Sequence, residues 1–160
     1  MKRDMHYHFV KGHTLLKKKL GGYFKGITDI LPAEDDYISS NGRKTFKKYG
    51  CVSRETWSLD SSLAVYLYEH IKLLEDLTIA DIDSADEFCL CEIPTWASYL
   101  KWSKNHNVPF ETIKVTLREA LDTVTSACLD YLRNDENEDN LEHFQYGLHV
   151  LAECVYMIWW

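Results

Sequence analysis

A chain of 160 residues that is 46% apolar, 27% charged and 13% aromatic is neither disordered nor collagen-like, and at this length folding removes about 70% of the extended-chain surface from water. One hydrophobic core can therefore hold it together without disulfides or a structural metal. The formal net charge of -7 excludes a surface that attracts polyanions throughout, yet residues 1–50 carry 11 Lys/Arg against 5 Asp/Glu, net +6, while residues 51–160 carry 7 against 20, net −13.

The chain opens Met1-Lys2-Arg3-Asp4-Met5-His6-Tyr7-His8, charged and without the apolar run of a secretory signal, so the protein is expected to stay in the cytoplasm. His6 to Val10 reads as a short strand. The stretch from there to Gly50 holds six of the seven glycines and no sustained period, so strands or irregular structure are expected, packed through Tyr23, Phe24, Ile27, Ile30, Leu31, Tyr37 and Ile38. Ser53 is placed to cap a short turn carrying Trp57. Leu59, Leu63, Tyr66, Leu67, Ile71, Leu74 and Leu77 then advance by three or four and predict a helix of about five turns, with Asp60 near its first amides. Residues 78–94 are acidic and aperiodic, and a short helix is predicted from Thr95 with Trp96, Tyr99, Leu100 and Trp102. A second long helix is predicted from Pro109 through Phe110, Ile113, Leu117, Leu121, Val124, Cys128 and Tyr131. After an acidic hinge at residues 134–140, a third carries Leu141, Phe144, Leu148, Leu151, Val155 and Ile158. Trp159 and Trp160 close the chain; two adjacent indoles point in different directions, so at least one is expected to dock into the core and the other to sit at an oligomer interface, the alternative being that both cover an exposed edge of the domain's own core.

The longest apolar run, residues 155–160, is far short of the roughly 20 residues a membrane helix needs. Five cysteines (Cys51, Cys89, Cys91, Cys128 and Cys154) are an odd number in a chain that needs no staples and read as reduced thiols, with Cys128 and Cys154 on apolar helix faces.

Few residues spell out catalytic chemistry. Asp81, Asp83 and Glu92 fall at positions one, three and twelve of an EF-hand loop, but Ala85 and Asp86 occupy the fifth position and the sixth, where the turn requires glycine. A solvated acidic loop is the plainer reading. Cys89 and Cys91 lack the usual zinc spacing and a second ligand pair, and His6 with His8 lacks further ligands. Gly21-Gly22-Tyr23-Phe24-Lys25-Gly26 is not followed by the Lys-Ser/Thr of a P-loop. No nucleophile elbow or zinc-protease helix motif occurs. The feature with most chemical content is the basic, aromatic-interleaved first third. Lys17, Lys18, Lys19 and Lys25 form one group and Arg43, Lys44, Lys47 and Lys48 another, with Tyr7, Phe9, Tyr23, Phe24 and Phe46 between or beside them. Cations neutralise phosphate, rings stack on bases and glycines admit an anion to the backbone; the alternative is that these lysines pair with the acidic remainder or stay solvated.

The block Trp57-Ser58-Leu59-Asp60 followed by Leu63-Ala64, together with Gly147-Leu148 and an ending in Trp159-Trp160, resembles a group of small proteins of tailed bacteriophages and prophages. The similarity spans residues 47–77 and the last two helices, while the acidic, cysteine-bearing stretch 81–95 departs from it. The resemblance implies a helical viral protein acting inside a bacterial cell and supplies no catalytic residue.

The expected fold is mainly α: three long helices in a bundle with one or two short ones, a basic Gly/Lys-rich segment at residues 1–50 open to short strands, and an acidic helical domain at residues 51–160, one structural domain overall. The leading functional expectation is a non-catalytic phage accessory protein that captures an anionic ligand, a nucleotide-like signal of host defence. Its contacts are Tyr7, Lys17, Lys18, Lys19, Tyr23, Lys25, Arg43, Lys44, Lys47 and Lys48, and Trp159 and Trp160 form an interface. No cofactor, resident metal or catalytic residue is assigned. The alternatives are an assembly module docking on a host or phage protein or on a second copy of itself, and a divalent-metal enzyme using the carboxylates between Asp81 and Glu92.

Overall fold

The computed structural model describes residues 13–27, 31–32, 34–56, 58–86 and 90–158. These are mainly helical, with one two-stranded sheet. Four short helices come first: α1 (Thr14–Leu20), α2 (Phe24–Ile27), α3 (Glu34–Ile38) and α4 (Ser40–Tyr49). The long α5 (Leu59–Asp86) leads through β1 (Leu90–Pro94), α6 (Trp96–Lys104) and β2 (Thr112–Thr116) into α7 (Leu117–Arg133) and α8 (Glu138–Cys154). Single 3-10 turns lie at Gly21–Tyr23, Ser53–Thr56 and Val155–Met157.

The strands or irregular backbone expected before Gly50 give way, from residue 13 on, to helix; the candidate strand at His6 to Val10 lies outside the described residues. The period was there but punctuated. Leu16, Leu20, Phe24, Ile27 and Leu31 recur at threes and fours and are all buried, while Gly21, at φ 54, breaks the run into separate helices. Of the other residues expected to pack, Tyr37 is buried whereas Tyr23 and Ile38 are exposed. The buried five join one apolar cluster with α5, α7 and α8. Tyr37, Val52 and Phe46 form a second, small cluster that ties α3 and α4 to the chain before α5. Gly42 is obligatory there, because a Cβ at that position would lie 1.7 Å from the carbonyl oxygen of Asp36.

Among the described side chains of α5 the buried apolar residues are Ala64, Val65, Tyr68 and Ile71; Leu63, Leu67 and Leu74 are partly buried, and Leu59 and Tyr66 are exposed. The expected single stripe is widened because α5 is flanked twice. His13 reaches it from the N-terminal segment through Glu69, and α7 reaches it through Tyr131 to Asp60 and Asp122 to Lys72. No glycine or proline occurs between residues 59 and 93, and the helix runs through the acidic stretch to Asp86. The acidic loop expected from residue 78 is therefore helix as far as Asp86, and the EF-hand alternative, which needs irregular backbone at Asp81 to Asp86, falls with it.

The second long helix starts at Leu117 rather than Pro109. Thr112-Ile113-Lys114-Val115-Thr116 is β-branched at four of five positions and pairs antiparallel with β1, from Leu90 opposite Thr116 to Pro94 opposite Thr112. A capping box fixes the new start: the amide of Glu119 donates to Thr116 Oγ1 at 3.2 Å and the amide of Thr116 to Glu119 Oε2 at 2.9 Å. From there Leu117, Leu121, Val124, Cys128 and Tyr131 are buried as the spacing required. The short helix expected from Thr95 is α6, with Thr95 as its N-cap. In α8 the buried face is Phe144, Tyr146, Gly147, Val150 and Cys154, with Leu148 and Leu151 partly buried and Leu141 and Val155 exposed. Gly147 sets that rotation, since a Cβ built on it would sit 2.8 Å from the Cβ of Ala127 in α7. Helix α7 thus packs against α5 on one flank and α8 on the other, and β1 leans on both α7 and α8.

Candidate anion-binding groove

The turn Gly21–Tyr23 and α2 lie beside the first turn of α5 and the end of α7. Between them runs an open groove of about 380 Å³, bordered by Gly22, Tyr23 and Gly26 on one side and by Ser61, Arg133 and Asp135 on the other. Its size falls within the range of small-ligand sites. Tyr23 is 62% exposed, leaving a ring face available for stacking. A Cβ at Gly22 or Gly26 would meet nothing within 4 Å, so bare backbone faces open space. Across the groove, Arg133 Nη1 donates to Asp130 Oδ1 at 2.9 Å, one of the five N–H donors of a guanidinium. Asp135 places one opposing charge at the rim.

The two helices that make up the second wall, α5 and α7, are joined to each other. Tyr131 donates from its hydroxyl to Asp60 Oδ2 at 2.5 Å, and the amide of Ser61 donates to Asp60 Oδ1 at 2.8 Å. The bond from Tyr131 holds the Asp60 carboxyl below the usual carboxylate range, while burial and the adjoining carboxylate push the Tyr131 phenol up to about 12. Asp60 of the Trp-x-Leu-Asp block is therefore a joint between α5 and α7.

The residues expected to bind the ligand are only partly assembled. Tyr23 borders the groove, whereas Lys17, Lys18, Lys19 and Lys25 project from the same segment without lining it. Lys17 Nζ stands 5.4 Å from the centre of the Phe24 ring. Arg43, Lys44, Lys47 and Lys48 belong to α4, which packs on α3; Arg43 Nε donates to the carbonyl of Ile38 at 2.7 Å and Lys48 Nζ lies 4.8 Å from the Tyr49 ring. Among the described residues, none of Lys17, Lys18, Lys19, Lys44, Lys47 and Lys48 is ion-paired with the acidic body. Tyr7, Trp57, Trp159 and Trp160 lie outside the described residues. Sequence reasoning missed Arg133, although a cation in the last turn of a helix, beside the carbonyl end of its dipole, was visible there.

Among the described residues no group of three His, Cys, Asp or Glu could hold a metal ion. Cys91 is buried with its Sγ 3.3 Å from Met157 Sδ, and burial pushes the thiols of Cys128 and Cys154 up to about 12, in keeping with unreactive core cysteines. Also among those residues, no helix is long and apolar enough to cross a membrane. No protein-family model, curated protein or solved structure matches the chain.

Proposed function

We propose that the protein is a non-catalytic binder of an anionic, nucleotide-like ligand, held between the glycine turn and the end of α7 and acting in a bacterial host cell as a phage accessory protein. In this reading α5, α7 and α8 are the three long helices of one bundle, and the basic segment closes over one end of it. The observation that carries the reading is the placing of exposed Tyr23 between two open glycines and opposite Arg133. A base stacks on the Tyr23 ring, Arg133 meets a phosphate, and the unencumbered backbone at Gly22 and Gly26 lets an anion approach. Lys17, Lys18, Lys19 and Lys25 raise the local positive potential and speed encounter.

Calorimetric titration with linear and cyclic nucleotides at low salt tests this. Saturable heat is expected, weakening as salt rises, with Tyr23→Ala and Arg133→Gln each lowering affinity about tenfold or more. No heat with any nucleotide at low salt refutes the proposal.

A further inference from the structure

His13 stands just before α1 and is 4% exposed. Its Nδ1 lies 2.5 Å from Glu69 Oε1 on α5, so the ring donates Nδ1–H to the carboxylate and, when neutral, carries its lone pair on Nε2. That Nε2 is buried and has no hydrogen-bond partner among the described residues. Ser62, two turns before Glu69 on the same face of α5, likewise has a buried hydroxyl with no partner among those residues. Both residues line one small cleft of about 50 Å³, walled by Leu31 and Pro32 and flanked by Tyr66, on which His70 stacks at 3.6 Å. The cleft is separate from the groove, and nothing below depends on nucleotide binding.

Two buried polar atoms without partners among the described residues, both on residues that line one cavity, ask for an occupant, because burying such groups unpaired is costly. The chemistry defines it. A lone pair on Nε2 needs a hydrogen donor, and the Ser62 oxygen accepts a second hydrogen. Glu69 and Glu55 both border the cleft and bring two carboxylates to it. One imidazole nitrogen and one hydroxyl are too few for a metal site. The volume admits the head of an unbranched chain and excludes a ring. We infer that the cleft binds the terminal ammonium of an aliphatic amine, with two of its hydrogens on His13 Nε2 and Ser62 Oγ and its chain leaving past the Tyr66 ring, where cation–π attraction adds to the carboxylate field.

Full-length protein titrated at pH 8 with 1,4-diaminobutane tests this, with the ¹⁵N resonance of His13 Nε2 followed in parallel. Saturable binding with a concerted shift of that resonance is expected, and Ser62→Ala should weaken it about fivefold or more. Glu69→Gln, which removes the carboxylate that sets the ring, should weaken it further and provides a second variant should either fail to fold. Equal affinity for 1-butanol would show that charge is not recognised, and binding of acetate instead would invert the assigned polarity; either result overturns the proposal. So does the absence of saturable binding, which leaves the cleft to water, or an affinity unchanged in Ser62→Ala.

Discussion

Asp60 accepts from the Ser61 amide on one oxygen and from the Tyr131 hydroxyl on the other, so one carboxylate serves both the first turn of α5 and the last turns of α7. Its lowered pKa has a definite sign in stability. The folded state holds this group's proton more weakly than the unfolded chain, so its contribution is fully present above the unfolded value of about 3.9 and fades as pH falls through the folded one. Thermal melts of Asp60→Asn should accordingly lose less stability than wild type on acidification below about pH 4, while starting lower at neutral pH. His13 and Glu69 show why part of the chemistry was invisible before the fold was known. They stand 56 residues apart, and nothing local to either announces the other. Tyr23 was legible because the aromatic, the glycines and the cations that gave it meaning were its neighbours in the chain.

At the scale of elements, α7 and α8 approach so closely that position 147 has no room for a side chain. Gly147→Ala should destabilise the protein by about 1–3 kcal/mol in urea unfolding, even though alanine is the better helix former, because the clash with Ala127 outweighs propensity. The same contact explains which stripes were readable. In α7, buried between two partners, leucine and valine spacing matched the buried face position by position. In α8 the large apolar residues mark a face rotated from the buried one, because Gly147 rather than the leucines governs the approach to α7. The boundary at Pro109 failed for a different reason. Ile113 and Leu117 continue a helical spacing, but threonines and a valine around Lys114 favour extended backbone, and β1 was at hand to pair with it. In the first 50 residues, glycine breaks disguised a run of helical positions as irregular chain.

Across the whole molecule the apolar residues divide unequally. A large cluster joins α1, α2, α5, α7 and α8, and the small one of Tyr37, Val52 and Phe46 holds α3 and α4 with help from Glu55, whose Oε1 accepts from the Tyr37 hydroxyl at 2.9 Å and the Val52 amide at 2.8 Å. So few buried contacts make α3 and α4 the first part to open, and their amides should exchange with deuterium at least tenfold faster than those of α7 under native conditions. Protection of α4 equal to that of α7 would show the two clusters to be one cooperative unit. The position of α7 matters in time as well as in space. The helix that separates α5 from α8 is synthesised after both α1 and α5. On the ribosome, the leucines of α1 and the apolar face of α5 have already emerged while Leu117–Arg133, against which they will be buried, is still being made. The nascent chain must wait with sticky surface uncovered until α7 has cleared the ribosome, and a pause in translation before then would lengthen its exposure to aggregation and chaperones.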